Sequence, residues 1–319
     1  MTFPLGKLIV QRVALGMTLL LAVSVVIFMG TQLLPGDVAT AILGQSATPE
    51  ALANLRAELG LDQPLVTRYL HWLSSILTGE LGTALSNGQD IATSLGERLG
   101  NTIFLAACAA AIAVPIAVAL GILAVRFHGG LFEKSLSGFV LVATALPDFF
   151  IGYVLMLVFA VNLQWFPSIS NVSSGMPFSE RLEAVALPAL ALSLGVLAHI
   201  MRMTRAAVLS VMQSPYIETA ELKGIRPIKV VRRHALPNAI GPIINAIMLN
   251  LAHLIVGVVV IEVIFVYPGM GQYLVDHVVK RDMPVVQAVG LVFAAVYIFL
   301  NMVADISAIY ANPRLRHPK

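Results

Sequence analysis

The chain has 319 residues, of which 58% are hydrophobic and only 12% are charged, with a mean hydropathy of +0.87. Soluble domains carry about 25% charged residues, and a water-soluble fold of this length could not bury so much apolar surface, so the composition indicates a protein whose solvent is the bilayer. The net charge of +3 then reflects where the loops lie relative to a membrane rather than nucleic-acid binding, and the single Cys108 excludes an intrachain disulfide.

Apolar runs of about 20 residues predict six membrane-spanning segments. Each is expected to be helical, because lipid satisfies no backbone hydrogen bond. The fold class is therefore an all-α membrane protein with an even number of spans. In chain order, the predicted spans are 9–34, 101–125, 136–161, 184–203, 239–266 and 284–310.

The first apolar run has the basic flank of a secretory signal peptide, and the sequence Ala39-Thr-Ala41 resembles a cleavage site. The run from Val13 to Leu34 is longer than the apolar part of a signal peptide, about 7–15 residues. We interpret it as an uncleaved membrane helix.

The segment 35–97 is the sizeable non-membrane stretch that follows, and it predicts two short helices. Thr48 can cap the first, Pro49 suits its first position and Gly60 ends it. Pro64 starts the second, which carries an apolar stripe that could lie on the membrane surface or pack as a cap over the spans. The stripe comprises Val66, Tyr69, Leu70, Leu73 and Leu77.

Lysine and arginine are concentrated on one side of the predicted membrane. Of the 20 basic residues, 14 lie at the N-terminus, in the loops between spans two and three and between spans four and five, or at the C-terminus. The positive-inside rule therefore predicts that both termini are cytoplasmic.

Polar residues inside predicted spans are costly in lipid and usually face a cavity or a partner. Asp148 falls in the third span directly after Pro147, which is expected to kink or break the helix. Asn250 and His253 lie in the fifth span, where either helix–helix contacts or the lining of a path would explain them. We expect Glu262 and Asp305 to be solvated at the membrane interfaces, although Glu262 remains a candidate for the path.

A basic, polar segment separates the fourth and fifth spans. Ser214 can cap a helix that starts at Pro215, and Glu218 would lie in its first turn. Lys223 falls in the last turn, and Gly224 can adopt the left-handed conformation that ends a helix. Pro227 can start a second helix, and Pro237 is expected to stop it before the fifth span. The segment predicts a helix–turn–helix on the cytoplasmic face.

Within the sequence no phosphate-binding G-x-x-x-x-G-K-[ST] motif occurs. The seven histidines lack metal-ligand spacing, and no nucleophile motif is recognisable. We therefore expect no enzyme activity, no metal site and no cofactor on this chain.

The run Glu218-Thr-Ala220, followed by Gly224 and then Leu236-Pro237, resembles the "EAA" loop of permease subunits in binding-protein-dependent ABC importers. The chain departs from the family pattern with Thr219 in place of alanine and with His234 in place of isoleucine.

Further motifs resemble the peptide/nickel permease family, and in particular its first (B-type) permease, which has a long outer segment after span one. In the C-terminal motif Asn312 stands where the family usually has aspartate. The motifs are Pro35-Gly-Asp37, Glu80-Leu-Gly82, Ala145-Leu-Pro-Asp148-Phe-Phe, Tyr267-Pro-Gly-Met-Gly271, Arg281-Asp-Met-Pro284 and Asn312-Pro-Arg-Leu-Arg316.

The resemblance implies a type I importer fold in a bacterial inner membrane. Its implied divisions are a first helix at 1–34, an outer segment at 35–97, a transmembrane domain at 98–311 with a coupling loop at 207–238, and a tail at 312–319. The implied partners are a second (C-type) permease, two cytosolic subunits that hold ATP and magnesium, and an extracytoplasmic solute-binding protein. The residues implied to couple to the ATPase are Glu218, Ala220, Glu221, Gly224, Leu236 and Pro237.

The residues named for a translocation path are Asp148, Asn250, His253 and Glu262. A transporter driven by an ion gradient, with Asp148 or Glu262 as the ion site, is the alternative. It would explain the carboxylates within the spans but gives no reason for a capped cytoplasmic helix. An intramembrane enzyme lacks paired catalytic residues. The transported solute is left open among a dipeptide, an oligopeptide, a nickel chelate, a sugar oligomer and an opine-like compound.

Overall fold

The computed structural model describes residues 5–33, 38–43, 45, 47–58, 60–173 and 175–311. The helices before the third span are α1 (Leu5–Gln32), α2 (Val38–Leu43), α3 (Pro49–Glu58), α4 (Leu65–Thr78) and α5 (Ile91–Arg126). Those that follow are α6 (Leu131–Ala145), α7 (Asp148–Leu155), α8 (Phe178–Met212), α9 (Pro215–Leu222), α10 (Pro227–Val230), α11 (Leu236–Ile264), α12 (Met270–Val279) and α13 (Met283–Ala311).

Five continuous helical stretches are long and apolar enough to cross a membrane, and they correspond to predicted spans one, two, four, five and six. They are 9–32 in α1, α5, α8, a stretch from Pro227 to Ile264 that ends with α11, and 283–307 in α13. The third predicted span is not one helix, because α6 and the stretch Asp148–Asn162 meet at a bend of 103°. The nearly all-helical membrane fold is confirmed, with the third span broken.

The break has a local cause in the sequence. Leu146 precedes Pro147 and adopts an extended conformation, with φ −83° and ψ 134°, because the proline ring disfavours helical geometry in the residue before it. Pro147 is extended too, with ψ 143°. Asp148 is therefore the first residue of a new helix, rather than a residue near the middle of one as the sequence had indicated.

The second and fourth spans begin earlier than predicted. α5 starts at Ile91, because the Asp90 carboxylate accepts hydrogen bonds of 2.7 Å from both the side-chain hydroxyl and the backbone amide of Thr93. These two bonds hold the pKa of Asp90 below its usual range. The predicted boundary at residue 98 consequently falls inside α5. α8 starts at Phe178, directly after Pro177.

The chain divides into two compact units. The first contains Met1–Ala14, Ile103–Tyr267 and Phe299–Lys319, and the second contains Leu15–Thr102 and Pro268–Ile298. α8 is the most buried span of the first unit. It crosses α5 closely, because a Cβ added to Gly121 would lie 2.8 Å from the Thr204 side chain and 2.9 Å from the Met201 carbonyl oxygen.

The second unit has its own apolar core, in which α12 packs with residues of α5 and α13. Buried hydrogen bonds support this core: Thr102 accepts the Met270 amide at 2.8 Å, and Gln287 donates to the Thr31 hydroxyl at 2.7 Å. The core residues are Ala84, Ile91, Leu95, Met270, Tyr273, Val285, Ala288 and Val289.

The two short helices predicted in the outer segment are present. The Thr48 hydroxyl accepts the Ala51 amide at 3.2 Å, so Thr48 caps α3 as expected. Gly60 follows α3 with φ +62°, and α4 begins directly after Pro64. The Pro35-Gly-Asp37 motif and the C-terminal motif from Asn312 lie outside the described residues.

Candidate translocation and coupling site

The cytoplasmic segment between the fourth and fifth spans folds as the sequence predicts in most respects. Pro215 is the first residue of α9, and Glu218 lies in its first turn. The predicted side-chain cap from Ser214 is wrong: its backbone carbonyl, rather than its hydroxyl, accepts the Ile217 amide at 2.9 Å. A tight first turn thus satisfies the amide that the hydroxyl would otherwise have bound.

Gly224 ends α9 in the predicted left-handed conformation, with φ +73°. Its amide donates to the Glu221 carbonyl at 2.8 Å, and the Ile225 amide donates to the Ala220 carbonyl at 3.3 Å. Glycine adopts this conformation without the steric cost that a Cβ brings. The chain therefore turns sharply away from the end of α9.

α9 has one face held by the protein and one face that is open. Ile217 and Ala220 are buried in an apolar cluster with residues of α5, α8 and α11. Glu218 and Glu221 are exposed, and Leu222 is 83% exposed. The predicted coupling residues thus separate into an anchor, Ala220, and an outward surface that carries both carboxylates.

The prediction that Pro237 stops the second cytoplasmic helix is wrong. The helix that starts at Pro227 passes through a wide π turn at Val231–Ala235 and continues into α11. Such turns give a proline ring room within a helix, and the Asn238 side chain donates to the His234 carbonyl at 2.8 Å. The cytoplasmic segment is therefore joined rigidly to the fifth span.

Leu236 and Pro237 occupy different environments. Leu236 is half-buried and packs against the apolar cluster that holds α9. Pro237 is exposed and lines a groove of about 430 Å³ together with four residues of α10 and the π turn. These four are Ile228, Lys229, Arg232 and Arg233.

A cavity of about 520 Å³ lies in the first unit among α6, α7, α8 and α11. Three of the four residues predicted for a path line it: Asp148, Asn250 and His253. The sequence analysis missed His199, which lines the same cavity from α8. Its spacing from Gly195 and Leu192, four and seven residues along one helix face, was a signal that could have identified it.

The Asp148 carboxylate fits against two glycines. A Cβ added to Gly195 would lie 3.0 Å from its Oδ1, and one added to Gly257 would lie 3.5 Å from its Oδ2. Asp148 is exposed to the cavity, and no other residue in the described part of the chain forms a hydrogen bond or ion pair with it. The glycines of α8 and α11 thus leave the space that the carboxylate occupies.

Glu262 does not line the cavity, and the expectation that it is solvated at the interface is wrong. It is 0% exposed. Tyr267 lies close enough to Glu262 and Arg181 for both charges to act on its hydroxyl. Burial is the main cause that raises the pKa of Tyr267 well above its usual range. Glu262 therefore belongs to a buried polar cluster at the end of α11. Asp305 is half-exposed and forms an ion pair with Arg12 at 2.6 Å.

The cytoplasmic end of α8 is fixed to the start of α6. Glu133 is 6% exposed, and its carboxylate accepts the Arg205 Nε–H at 2.8 Å and the Gly129 amide at 2.7 Å. The His128 Nδ1 lies 3.1 Å from the same carboxylate. This cluster restrains the part of α8 that leads into α9. Within the described ranges no group of three or more potential metal ligands comes together.

Comparisons with known proteins identify the architecture. Residues 113–317 match the model of the binding-protein-dependent transport system inner membrane component, and residues 5–106 match the N-terminal membrane component of the same systems. The inward-facing MetNI methionine ABC transporter has a similar fold, with a TM-score of 0.56 at 17% identity, over 68% of this chain and 96% of the compared chain.

Relatives match along nearly the whole chain. A probable peptide ABC transporter permease protein, y4tP, of Sinorhizobium fredii (strain NBRC 101917 / NGR234) is 34% identical over 98% of this chain and 100% of its own length. A putative peptide transport system permease protein of Brucella abortus (strain 2308) is 36% identical over 97% and 99%. The glutathione transport system permease protein GsiC of Pectobacterium atrosepticum is 34% identical over 93% and 95%.

These matches exceed what a shared fold alone would produce, since they combine the family model with sequence identity over the full length. They also leave the gradient-driven alternative without support. The chain is a multi-pass membrane protein and belongs to the binding-protein-dependent ABC importer permeases, as one permease half of an ATP-driven importer.

Proposed function

We propose that this permease forms half of the translocation path for a peptide-like solute and couples to a cytosolic ATPase through α9. The names of the relatives, two peptide permeases and a glutathione permease, support a peptide-like solute. The proposed assembly adds a second permease, two ATP-binding subunits that hold ATP and magnesium, and an extracytoplasmic solute-binding protein. The proposed location is a bacterial inner membrane.

The observation that carries the coupling role is the two-faced arrangement of α9. One face of α9 is buried, and the other exposes two carboxylates and a leucine. The exposed face is available to bind a partner subunit. A short turn at Gly224 and α10 join α9 to the fifth span, so a displacement of α9 is transmitted to that span. Closure of two ATPase subunits on ATP would supply such a rigid-body displacement.

The observation that supports the path is the polar cavity at the broken third span. Irregular backbone is tolerated at membrane depth only where it is buried in protein or lines a cavity. Transporter sites are often formed where a membrane helix is interrupted. The 520 Å³ cavity lies at such a break and collects ionisable side chains that would be costly against lipid.

The coupling role is tested with Leu222→Ser, since Leu222 is the apolar tip of α9. The tagged variant is purified from its native membrane in mild detergent, and the recovery of ATPase subunits and solute-stimulated ATP hydrolysis are measured. We expect normal membrane insertion, with at least a tenfold loss of stimulated hydrolysis or of ATPase recovery.

Val279→Ser is the matched control, because Val279 is 78% exposed but lies at the end of α12, outside the cytoplasmic segment. It is expected to behave as the unmodified protein. Full coupling in Leu222→Ser, or equal losses in both variants, would rule out α9 as the coupling element.

A further inference from the structure

The Asp148 carboxylate is an unusual feature of a membrane-embedded surface. Its side chain is exposed and lines a cavity, and no hydrogen bond or ion pair holds it in the described part of the chain. The cost of a carboxylate in the membrane is offset when it meets a cation or water. A cation for Asp148 could come from the walls of the cavity or from a ligand.

The basic side chains beside the cavity each have another polar neighbour, and the charge of Asp148 also acts on His199. The Arg202 guanidinium lies 3.4 Å from the His199 Nδ1. The His253 Nδ1 donates to the Leu249 carbonyl at 3.1 Å. A metal ion is not favoured, because no group of three potential metal ligands assembles in the described part of the chain.

Asn250 adds a hydrogen-bond acceptor to the cavity. The Asn250 Nδ2 donates to the Ala246 carbonyl at 2.8 Å, so its Oδ1 is the atom left for a ligand. The walls are otherwise mostly apolar, from Leu192, Leu254 and Val260 among others. A volume of about 520 Å³ is in the range of small-molecule sites. The ligand that fits is a hydrogen-bond donor with a positive charge and an aliphatic body.

We propose that Asp148 binds the primary ammonium group of the transported solute, with Asn250 accepting a neighbouring N–H. The amino terminus of a short peptide has this chemistry, because an ammonium offers three donors and the following amide a fourth. The inference rests on the proposed path, and it adds a recognition point for one end of the solute. Gly195 and Gly257 are positioning residues, since they leave room for the carboxylate between α8 and α11.

The test is ligand-observed saturation-transfer NMR on the full chain, purified with its assembly in nanodiscs and without the binding protein. The probes are tri-alanine and N-acetyl-tri-alanine, which differ in the ammonium group. We expect a saturation-transfer signal for tri-alanine that is at least fivefold that of the acetylated peptide. Asp148→Asn should reduce it to the acetylated level, and Asp148→Glu should retain part of it.

Gly195→Ala should also weaken the tri-alanine signal, because the new Cβ would displace the carboxylate. Gly138→Ala is its control, since a Cβ there meets nothing within 4 Å. Equal signals from the two peptides, no signal from either, or an unchanged signal in Asp148→Asn would overturn the proposal. The recovery of ATPase subunits on the same tagged chain reports separately whether the proposed function holds.

A second inference comes independently from α4, whose residues divide into three faces. Tyr69 and Trp72 pack on Phe28 of α1, with ring centroids 5.4 and 5.7 Å away, and the Tyr69 hydroxyl lies 2.9 Å from the Ser24 hydroxyl. Val66, Leu70 and Leu77 form an exposed apolar face, with exposures of 70%, 58% and 80%. Thr67, His71, Ser74 and Thr78 form an exposed polar face beside it, about a quarter turn around the helix.

The contacts on α1 place α4 along that helix. The apolar stretch of α1 that is long enough to cross a membrane ends at Gln32, so at 1.5 Å per residue Phe28 lies about 6 Å and Ser24 about 12 Å from that end. Amphipathic helices lie about 5–10 Å into the boundary between headgroups and acyl chains. The adjoining surface of α1 is itself apolar and exposed at Val25, Val26 and Met29.

We infer that α4 is an interfacial helix of the outer leaflet, with Val66, Leu70 and Leu77 in contact with acyl chains and the His71 side facing water. Tyr69 and Trp72 then lie at the level where aromatic residues concentrate in membrane proteins. Of the two arrangements that the sequence left open, the membrane surface therefore accounts for the exposed face, while the adjacent face packs against α1.

The test uses spin labels on the full chain in nanodiscs of phosphatidylethanolamine and phosphatidylglycerol, in a Cys108→Ala background. Leu70→Cys should be accessible to oxygen and shielded from a water-soluble nickel complex by at least threefold relative to His71→Cys. His71 is the matched control, because it is exposed on the polar face of the same helix, about 100° around the axis from Leu70. Equal access to nickel, or shielding of Leu70→Cys from both reagents as under a protein partner, would refute lipid contact.

Discussion

Gly121 decides how closely α5 and α8 approach. The atoms that a Cβ would meet include a backbone oxygen, which cannot rotate away. Small residues at such crossings let membrane helices pack backbone to backbone. Thr204, which faces Gly121, is 0% exposed, so the contact lies within the core of the first unit.

We expect Gly121→Ala to destabilise the protein by about 1–3 kcal/mol, the usual range for overpacking. The measurement is the temperature at which half of the detergent-purified chain is lost from the monodisperse fraction after heating. Gly138→Ala is the control, because that site is open and alanine is a better helix former than glycine. If both variants matched the unmodified protein, the close crossing would not be a determinant of stability.

At the scale of a helix, α9 depends on the cluster beneath it. An eight-residue helix is not stable alone in water, so its structure depends on Ile217 and Ala220 being buried. The Ser214 side chain forms no capping hydrogen bond that would stabilise the helix from its start, and only its backbone carbonyl is used. Whatever force reaches α9 therefore passes into the spans through this apolar contact and through the Gly224 turn.

We expect Ile217→Ala to destabilise the α9 region by about 2–5 kcal/mol, because it leaves a cavity where the side chain was fully buried. Hydrogen–deuterium exchange of the peptide that contains α9 should accelerate. Ile228→Ala, on the same cytoplasmic segment but 58% exposed, should change stability by less than about 0.5 kcal/mol. Unchanged exchange in Ile217→Ala would show that α9 is held by other contacts.

At the scale of the whole molecule, the sidedness of the chain is the property on which its function depends. The positive-inside rule predicts that the basic segment between the fourth and fifth spans is cytoplasmic, and one candidate span, which ends with α11, then follows it in the chain before α12.

This sidedness is tested with single cysteines in a Cys108→Ala background. A membrane-impermeant maleimide should label Val279→Cys in intact spheroplasts, and it should label Lys223→Cys only after permeabilisation. Both sites are exposed, so a difference in labelling reports sidedness rather than burial. Labelling of both in intact cells would contradict the assignment of α11 as a membrane span between the two sites.

Several features of the molecule were predictable from local sequence. The helices α3, α4, α9 and α10 begin at or next to prolines, and three of them end near left-handed glycines, because the backbone conformation at those positions depends on the residue itself. The spans follow from runs of apolar residues, since transfer into lipid is governed by composition. Span ends were less predictable: α5 begins ten residues early at a cap formed by Asp90.

Other features needed the packed structure. Proline was correctly expected to interrupt the third span, but the same rule failed at Pro237, where a π turn carries the helix on. Glu262 and Asp148 are both carboxylates within apolar segments, and the sequence gives no means to tell them apart. One is fully buried near Tyr267, and the other faces a cavity.

The sequence by itself thus determined that the chain crosses a membrane and which family it belongs to, and it predicts which side its basic loops occupy. These depend on composition and on short motifs, and neither requires distant residues to meet. The tertiary structure decided that Asp148, His199, Asn250 and His253 share one cavity, because they come from three helices whose crossings fix their distances. It also decided which face of α9 is buried, because that depends on the spans beneath it.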